Sequence, residues 1–167
     1  IKVLNSTSAF SHRMARAIVF DSYTYATIPD VNLVRTIFSN EFELSVDYFP
    51  LLPYGPIATM WDLRTHTSNV LALELHGDVV QCVYQRSPGS YIVIRTPFPN
   101  SRLERWNTVT FSSLRDSIRL CVEEECQTLP AGPLGAPPAV RPLNIGVGVA
   151  DSWPVHLAQG LVRYVRL

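Results

Sequence analysis

Short runs in which apolar and polar residues alternate, separated by turn residues, are the feature that most limits the possible folds of this chain. In the clearest run, residues 41–49, Phe42, Leu44, Val46 and Tyr48 alternate with acidic residues and a serine. Because a strand places successive side chains on opposite faces, this pattern predicts a strand with one buried face. About a dozen such runs, with turn signals roughly every 8 to 12 residues, predict an all-β, two-sheet antiparallel sandwich of the jelly-roll type.

Two neighbouring runs, residues 105–111 and 117–123, predict a hairpin at the centre of this sandwich. Both alternate with period two, and the short polar segment 112–116 between them can turn in solvent. We expect the two layers to close over Phe42, Leu44, Ile118 and Leu120. Three consecutive glutamates after the second run indicate a surface edge.

Other segments complete the expected element order. Asp30 is a good N-cap for a single short helix over residues 31–38. Prolines and Gly55 in residues 50–56 predict a loop there. The proline- and glycine-rich segment 130–142 is expected to be a flexible loop. After it, the sequence predicts two final strands, over residues 143–149 and 161–167.

Length and composition favour one domain over residues 1–167, since 167 residues can bury a substantial core. A formal net charge of zero argues against nucleic-acid binding through the field of the whole molecule. No apolar run approaches the roughly 18 to 20 residues that span a bilayer, so we expect no membrane insertion. Without an initiating Met or a signal-peptide pattern, we expect a mature or excised domain.

The three cysteines leave more than one arrangement open. Cys121 and Cys126 are spaced so that a hairpin could bring them together in a disulfide, which would imply an oxidising compartment. Cys82 lies in a strand-like run and is expected to be either free or paired with Cys121. Alternatively, all three are buried reduced thiols. Their spacing does not suggest a zinc site.

The triplet that begins at Asn5 fits the pattern of an N-glycosylation acceptor. Together with a disulfide between Cys121 and Cys126, this triplet favours a secreted, extracellular protein. We therefore expect glycosylation at Asn5.

No catalytic constellation is present in the sequence. There is no G-x-S-x-G elbow, and the carboxylate pairs Glu41/Glu43 and Glu123/Glu125 lack the flanking aromatic residues of a sugar-cleaving site. No metal-binding or triad-like spacing joins the histidines, which are His12, His66, His76 and His156. We predict a binding module and no enzyme, with no cofactor required.

Arginines on and near the central hairpin are the first candidate binding site. All 14 basic residues except Lys2 are arginine, whose planar fork grips carboxylate, sulfate or phosphate groups. If Arg95 and Arg119 share one sheet surface, a patch for a sulfated glycosaminoglycan such as heparan sulfate would form. The residues of this patch are Arg95, Arg102, Arg105, Arg115 and Arg119. The alternative is that each arginine pairs with a nearby acid or covers apolar surface.

Two weaker candidates concern loops. Asp62, Asp78 and Asp151 fall at strand ends, where they either help to bind calcium or form turns. Tyr54 and Trp153 lie beside proline and glycine, a setting typical of protein-contact surfaces.

The order of motifs resembles the laminin-G-like family, and within it the thrombospondin N-terminal-like domains of thrombospondins, several collagens and NELL proteins. The motifs are strands at 42–46, 58–62 and 70–75, then Trp106 to Val109, Ile118 to Glu123, and 159–162. Asn107 stands where the family has His, and Glu123 stands where it has Asp. Cys126 lies two positions after the place at which the family has its cysteine. The family's disulfide pairing is therefore not carried over to this chain. The resemblance implies binding of heparan sulfate, of calcium in some members, and of matrix or cell-surface proteins.

These observations predict an extracellular recognition module that binds a protein partner or a sulfated glycosaminoglycan, within a parent protein that is itself expected to be oligomeric. The alternative is a lectin-like sandwich that recognises neutral carbohydrate. Such a lectin would need an aromatic-lined pocket with an Asp–Asn pair, which the sequence does not display.

Overall fold

The structure is a computed structural model that describes residues 18–20, 26–60, 71–87, 90–132, 142–150, 153–157 and 159–167. Over these residues it contains strands, one α-helix, α1 (Val31–Phe38), and a 3-10 turn at Asn100–Arg102. The strands are β1 (Ile18–Phe20), β2 (Ala26–Ile28), β3 (Phe42–Pro50), β4 (Tyr54–Met60), β5 (Leu71–His76), β6 (Val79–Ser87), β7 (Ser90–Pro97), β8 (Asn107–Ser113), β9 (Ser117–Val122), β10 (Glu125–Pro130), β11 (Leu143–Ile145), β12 (Val147–Ala150), β13 (Trp153–Leu157) and β14 (Gly160–Arg166).

The strands form two large antiparallel sheets. The first sheet has the order β1-β14-β3-β8-β9-β10, and the second has the order β2-β11-β4-β5-β6-β7. Strands β12 and β13 pair separately. Buried side chains of both large sheets form a common apolar cluster, so the predicted all-β sandwich is confirmed.

The central hairpin and the clearest alternating strand have the predicted faces. Strands β8 and β9 pair antiparallel, with Phe111 opposite Leu120, and β3 pairs with the other side of β8. Leu44, Phe111 and Leu120 are fully buried, and Phe42 is nearly so. The hairpin therefore lies within the first sheet and supplies part of the core, as expected.

An aromatic group joins the two sheets at one end of the core. The ring centroids of Tyr84, from β6, and Phe111, from β8, lie 5.2 Å apart with an edge-on geometry. Phe42 packs against Phe38 at 4.2 Å and against Phe111 at 5.9 Å. Such contacts add favourable electrostatics to the burial of large rings. Helix α1 is thereby fixed against the sandwich through Phe38.

Asp30 caps helix α1 as predicted. Its Oδ1 accepts hydrogen bonds of 3.0 Å from the backbone N–H groups of Asn32 and Leu33. The helix ends at Phe38, where the hydroxyl of Ser39 donates to the carbonyl of Arg35.

Three expectations about local structure are wrong. The turn expected over residues 112–116 is shorter, because β8 runs through Ser113. The loop expected over residues 50–56 is shorter, because β3 runs through Pro50 and β4 begins at Tyr54 and contains Pro56. Pro56 is tolerated because the register of β4 against β5 shifts between Pro56 and Ala58, and proline fits at such bulges and at strand ends.

The single strand expected over residues 143–149 is two strands. Gly146 has a φ of +78°, a conformation that favours glycine, and it separates β11 from β12. Strand β11 pairs with β2 and β4, whereas β12 pairs with β13.

Strand β13 was not predicted, and β10 was expected only as the second arm of a hairpin that would bring Cys121 and Cys126 together. Every residue of β10 except Cys126 is exposed, so this edge strand has no alternation to reveal it.

Of the loop expected over residues 130–142, positions 133–141 lie outside the described residues. In the part of the chain that the structure covers, no helix has the length and apolar character needed to cross a membrane.

Candidate functional site

A polar depression lies on the outer face of the first sheet, over strands β3, β8, β9 and β10. Its volume is about 430 Å³. It is lined by Glu43, Thr110, Ser112, Arg119, Cys121, Glu123, Glu124 and Cys126. We call this feature the depression.

The strand alternation that builds the core also builds the depression. In β8, Val109 and Phe111 point into the sandwich, so Thr110 and Ser112 point outward. In β9, Arg119 lies between the buried Ile118 and Leu120 and likewise faces outward. Antiparallel pairing places Ser112 directly opposite Arg119. Hydroxyl groups therefore form the floor and charged groups surround it.

The turn between β9 and β10 forms one wall. Glu123 has a φ of +54°, an uncommon conformation for a residue with a side chain. It is held there by Thr108, whose N–H donates to Oε1 of Glu123 at 2.7 Å and whose carbonyl accepts from the Glu123 N–H at 2.8 Å. Glu124, the other turn residue, is exposed. The glutamates expected at a surface edge thus contribute carboxylates to the depression.

Ion pairs extend along the same outer face towards β14. Arg166 Nη2 donates to Glu43 Oε1 at 2.6 Å, and Arg163 Nε donates to Asp47 Oδ2 at 3.0 Å. The other oxygen of Asp47 accepts a hydrogen bond of 2.8 Å from the Thr108 hydroxyl. Both arginines therefore have carboxylate partners.

Arg119 differs from these two arginines. Its Nη2 lies 3.1 Å from the Sγ of Cys126, and within the described residues it forms no ion pair with a carboxylate. Sulfur is a weak hydrogen-bond acceptor, so this contact orients the guanidinium without a direct ion pair, although three glutamates line the same depression. Arg119 is thus the available cation of the depression.

Aromatic rings border the same face beyond Asp47. The guanidinium of Arg163 lies 4.4 Å from the centroid of the Trp106 ring, and Trp106 contacts Phe49 edge-on at 5.6 Å. Tyr164 is directly opposite Asp47 and is 51% exposed. An exposed ring beside charged groups can stack on a flat apolar surface of a ligand.

The five arginines of the predicted glycosaminoglycan patch are not gathered on one surface. Arg95 lies in β7 between the buried Ile94 and Thr96, so it faces the outer side of the second sheet, away from Arg119. Its Nε donates to Gln81 Oε1 at 2.7 Å. The shared surface on which the patch depends is therefore not present.

The remaining three arginines occupy different local settings. Arg102 is 13% exposed and lies 3.3 Å from a carboxylate oxygen of Glu125. Arg105 is exposed, and its Nη1 lies 3.4 Å from the carbonyl oxygen of Ser101. Arg115 is exposed between β8 and β9. Of the five, only Arg119 lines the depression.

The cysteine alternatives are resolved by the structure. Cys121 and Cys126 are directly opposite each other in β9 and β10 and form a disulfide. Cys82 is a free, fully buried thiol, which excludes its pairing with Cys121. Burial raises the pKa of the Cys82 thiol well above its usual range, and the carboxylate of Glu74 raises it further.

Other predicted site residues lie mostly outside the described part of the chain. This applies to the acceptor Asn5 and to Asp62 and Asp151. Asp78 is exposed in the turn between β5 and β6, where its carbonyl accepts from the Phe98 N–H at 2.6 Å. Among the described residues, no three His, Cys, Asp or Glu side chains are grouped to hold a metal ion. Calcium binding stays a prediction.

Sequence reasoning did not identify Thr110, Ser112, Glu43 or Glu124 as site residues. The outward position of Thr110 was visible in the alternation of residues 105–111, whereas Ser112 was expected in the turn over 112–116 and in fact belongs to β8. Their proximity to Glu43 and Glu124 depends on the pairing of β3 with β8 and on the turn after β9.

Comparisons with known proteins bear on the fold. No protein-family model matches the chain, and no curated protein matches it significantly. Among solved structures, the Ruminococcus gnavus IT-sialidase CBM40 gives a TM-score of 0.71 at 11% identity, with 90% of this chain and 88% of that chain covered. Domains LG4-5 of the mouse laminin alpha1 chain give a TM-score of 0.66 at 15% identity, over 90% of this chain and 40% of that one.

A botulinum neurotoxin type C structure gives a TM-score of 0.53 at 11% identity, over 78% of this chain and 33% of that one. The chain therefore spans less than half the length of the laminin and toxin chains that it matches. At these identities the similarities show the fold alone, a laminin-G-like jelly-roll sandwich. The narrower thrombospondin N-terminal-like assignment stays a prediction.

Proposed function

We propose that this chain is an extracellular recognition module, folded as one domain over residues 1–167, that binds carbohydrate in the depression. The observation that carries the proposal is the lining of the depression. It combines hydroxyl groups, carboxylates and one guanidinium on a rigid sheet surface. Sugars present many hydroxyl groups that both donate and accept hydrogen bonds, and such a lining offers partners of both kinds.

The rigidity of the lining supports this proposal. Thr110 and Ser112 belong to a strand that is paired on both sides, by β3 and by β9. Ser45 Oγ and Thr110 Oγ1 lie 3.1 Å apart, so the floor is also linked by side chains. Groups held before the ligand arrives lose little conformational entropy on binding, which favours recognition of a small polar ligand.

Carbohydrate ligands named for proteins of similar fold are in keeping with the proposal. One structure is that of the Ruminococcus gnavus IT-sialidase CBM40 bound to alpha2,3 sialyllactose. The botulinum neurotoxin type C structure concerns cell entry that depends on interaction with two ganglioside molecules. Both ligands contain sugars. The present chain shares the fold with these proteins, and the proposal transfers only the class of ligand.

An extracellular location is part of the proposal. The Cys121–Cys126 disulfide supports it, because such bonds persist in oxidising compartments. Glycosylation at Asn5 and membership of the thrombospondin N-terminal-like group, within an oligomeric parent protein, are proposed on the sequence alone.

A sulfated glycosaminoglycan is less favoured as the ligand of the depression than a compact saccharide. Three glutamates and a single arginine line it, so a densely sulfated chain would meet mainly like charge. The separation of Arg95 from Arg119 removes the continuous basic surface that such a chain needs.

A protein partner is the second candidate, and a different surface favours it. Tyr91 and Val93 are 41% and 42% exposed on the outer side of β7, an edge strand of the second sheet. Aromatic and aliphatic residues exposed together are typical of protein-contact surfaces. Replacement of Tyr91 by arginine would disrupt such a contact and leave binding of carbohydrate in the depression unchanged.

The proposed function is tested by titrating the ¹⁵N-labelled domain with a panel of neutral and acidic oligosaccharides and following amide shifts. We expect saturable shifts in β8 and β9. Thr110→Tyr should abolish them by filling the depression, whereas Val93→Tyr, a matched change on the outer face of the second sheet, should not. Shifts elsewhere, or none with any saccharide, would overturn the proposal.

A further inference from the structure

We propose that the saccharide bound in the depression carries a carboxylate and that Arg119 receives this group. This inference rests on the proposed function and names the ligand class of the same site. Its basis is the difference between Arg119 and the other arginines on the outer face of the first sheet.

Within the described residues, Arg119 is the cation of the depression that has no direct carboxylate partner. Arg163 and Arg166 are paired with Asp47 and Glu43 at 3.0 Å and 2.6 Å. The contact of Arg119 in the described residues is with the disulfide sulfur of Cys126. A guanidinium presents two parallel N–H groups that match the two oxygens of a carboxylate, so a ligand carboxylate is a better partner than the sulfur.

The disulfide keeps this cation in position. Cys126 is covalently linked to Cys121, which lines the depression and lies two residues after Arg119 in β9. The sulfur that contacts the guanidinium therefore cannot move independently of β9. A binding group that is already oriented gains affinity because less freedom is lost when the ligand binds.

The acidic residues limit the ligand to few negative charges. Glu43 is occupied by Arg166, and one oxygen of Glu123 accepts from the Thr108 N–H. The second oxygen of Glu123 and the exposed Glu124 remain as acceptors for ligand hydroxyl groups. One guanidinium among these carboxylates can compensate one acidic group, whereas further anionic groups would be repelled.

The size of the depression agrees with a saccharide of one or a few units. Its volume of about 430 Å³ falls in the range of small-molecule sites, roughly 300 to 1,000 Å³. Thr110 and Ser112 on its floor provide hydroxyl groups for the uncharged part of the ligand. The site therefore fits a sugar acid, such as a sialic or uronic acid unit, better than a sulfated polymer.

The test uses matched probes that differ only at the carboxyl group, which is charged in the acid and neutral in the methyl ester. Calorimetric titrations would compare 3′-sialyllactose and a glucuronic-acid disaccharide with their methyl esters. We expect at least one acid to bind about tenfold or more tightly than its ester, since a hydrogen-bonded ion pair is lost in the ester. Arg119→Gln should reduce binding of that acid by a similar factor and reduce binding of the ester much less, because the ester forms no ion pair with Arg119.

Control variants separate this effect from loss of structure. Arg119→Lys keeps the positive charge but lacks the planar guanidinium with its two parallel N–H groups, and we expect intermediate affinity for the acid. Arg95→Gln removes a comparable exposed arginine on the second sheet and should change nothing. Circular dichroism of each variant would verify the fold.

The outcomes distinguish failure of this inference from failure of the proposed function. Equal binding of acids and esters, or wild-type affinity for the acid in Arg119→Gln, would overturn the role of Arg119. The proposed function would still stand if that binding were abolished by Thr110→Tyr. If neither the acids nor the esters, nor any saccharide of the panel, binds, both proposals fail.

Discussion

The guanidinium of Arg119 lies 3.1 Å from the Sγ of Cys126, although Thr128 is the residue directly opposite Arg119 in β10. The contact is diagonal across two strands, and it connects the disulfide with the available cation of the depression. The edge strand β10 therefore has two roles. It extends the first sheet, and it carries the sulfur atom that orients Arg119.

Removal of the disulfide should weaken the edge of the first sheet. For the double variant Cys121→Ser and Cys126→Ser, we expect the free energy of unfolding to fall by about 2 kcal/mol, because a short loop is no longer closed in the unfolded chain. Urea unfolding monitored by tryptophan fluorescence would measure this change. Amide exchange should rise mainly in β10, and an unchanged urea midpoint would contradict the expectation.

Gly160 lies where the packing leaves no room for a side chain. A Cβ atom at this position would clash with the carbonyl oxygen of Phe49 and lie 2.9 Å from Cε2 of the Tyr48 ring. We expect Gly160→Ala to lower the free energy of unfolding by about 1–3 kcal/mol, since β14 must shift away from β3. Gly132→Ala is the matched control, because an added Cβ meets nothing within 4 Å there. Equal thermal midpoints for the two variants would refute this account.

The fold could be predicted from the sequence because its determinants are local. The alternation of Phe42, Leu44, Val46 and Tyr48 fixes which face of β3 is buried, whichever strand pairs with it. The same holds for the central hairpin, whose two strands are neighbours in sequence. The extent of strand β10 beyond Cys126 was not predicted, since its exposed residues give no alternation.

The candidate site could not be predicted because it depends on contacts that are remote in sequence. Glu43 and Arg166 are 123 residues apart, yet they meet on the outer face of the first sheet. Likewise, Arg95 and Arg119 are outward-facing arginines of similar appearance in the sequence. The assignment of their strands to different sheets separates them, and no local pattern encodes that assignment.

Phe111 is expected to be a main contributor to stability. It is fully buried and contacts the rings of Phe42 and Tyr84. Phe111→Ala would leave a cavity between the sheets and should cost about 3–5 kcal/mol. Leu129→Ala, at an edge position that is 37% exposed, should change stability by only about 0.5 kcal/mol. Guanidinium denaturation of both variants would check this, and a small effect for Phe111→Ala would show that the aromatic group is not central to the core.

The buried thiol of Cys82 should make the protein less stable at alkaline pH. Burial raises the pKa of the Cys82 thiol in the folded state. Below the usual pKa range of a thiol, Cys82 is protonated in both the folded and the unfolded chain, so its full contribution to the free energy of unfolding is present there. Above about pH 8.5 the unfolded thiol ionises while Cys82 stays protonated in the folded protein, so the free energy of unfolding falls by up to about 1.4 kcal/mol per pH unit. Urea unfolding between pH 7 and 9.5 should show this decline in the wild type and a flatter profile in Cys82→Ala. Measurements up to pH 9.5 keep the contribution of Tyr48 small, because its pKa is also raised by burial and an unfolded tyrosine ionises mainly above about pH 10. Parallel profiles for the two proteins would mean that Cys82 ionises as readily in the folded chain as in the unfolded one.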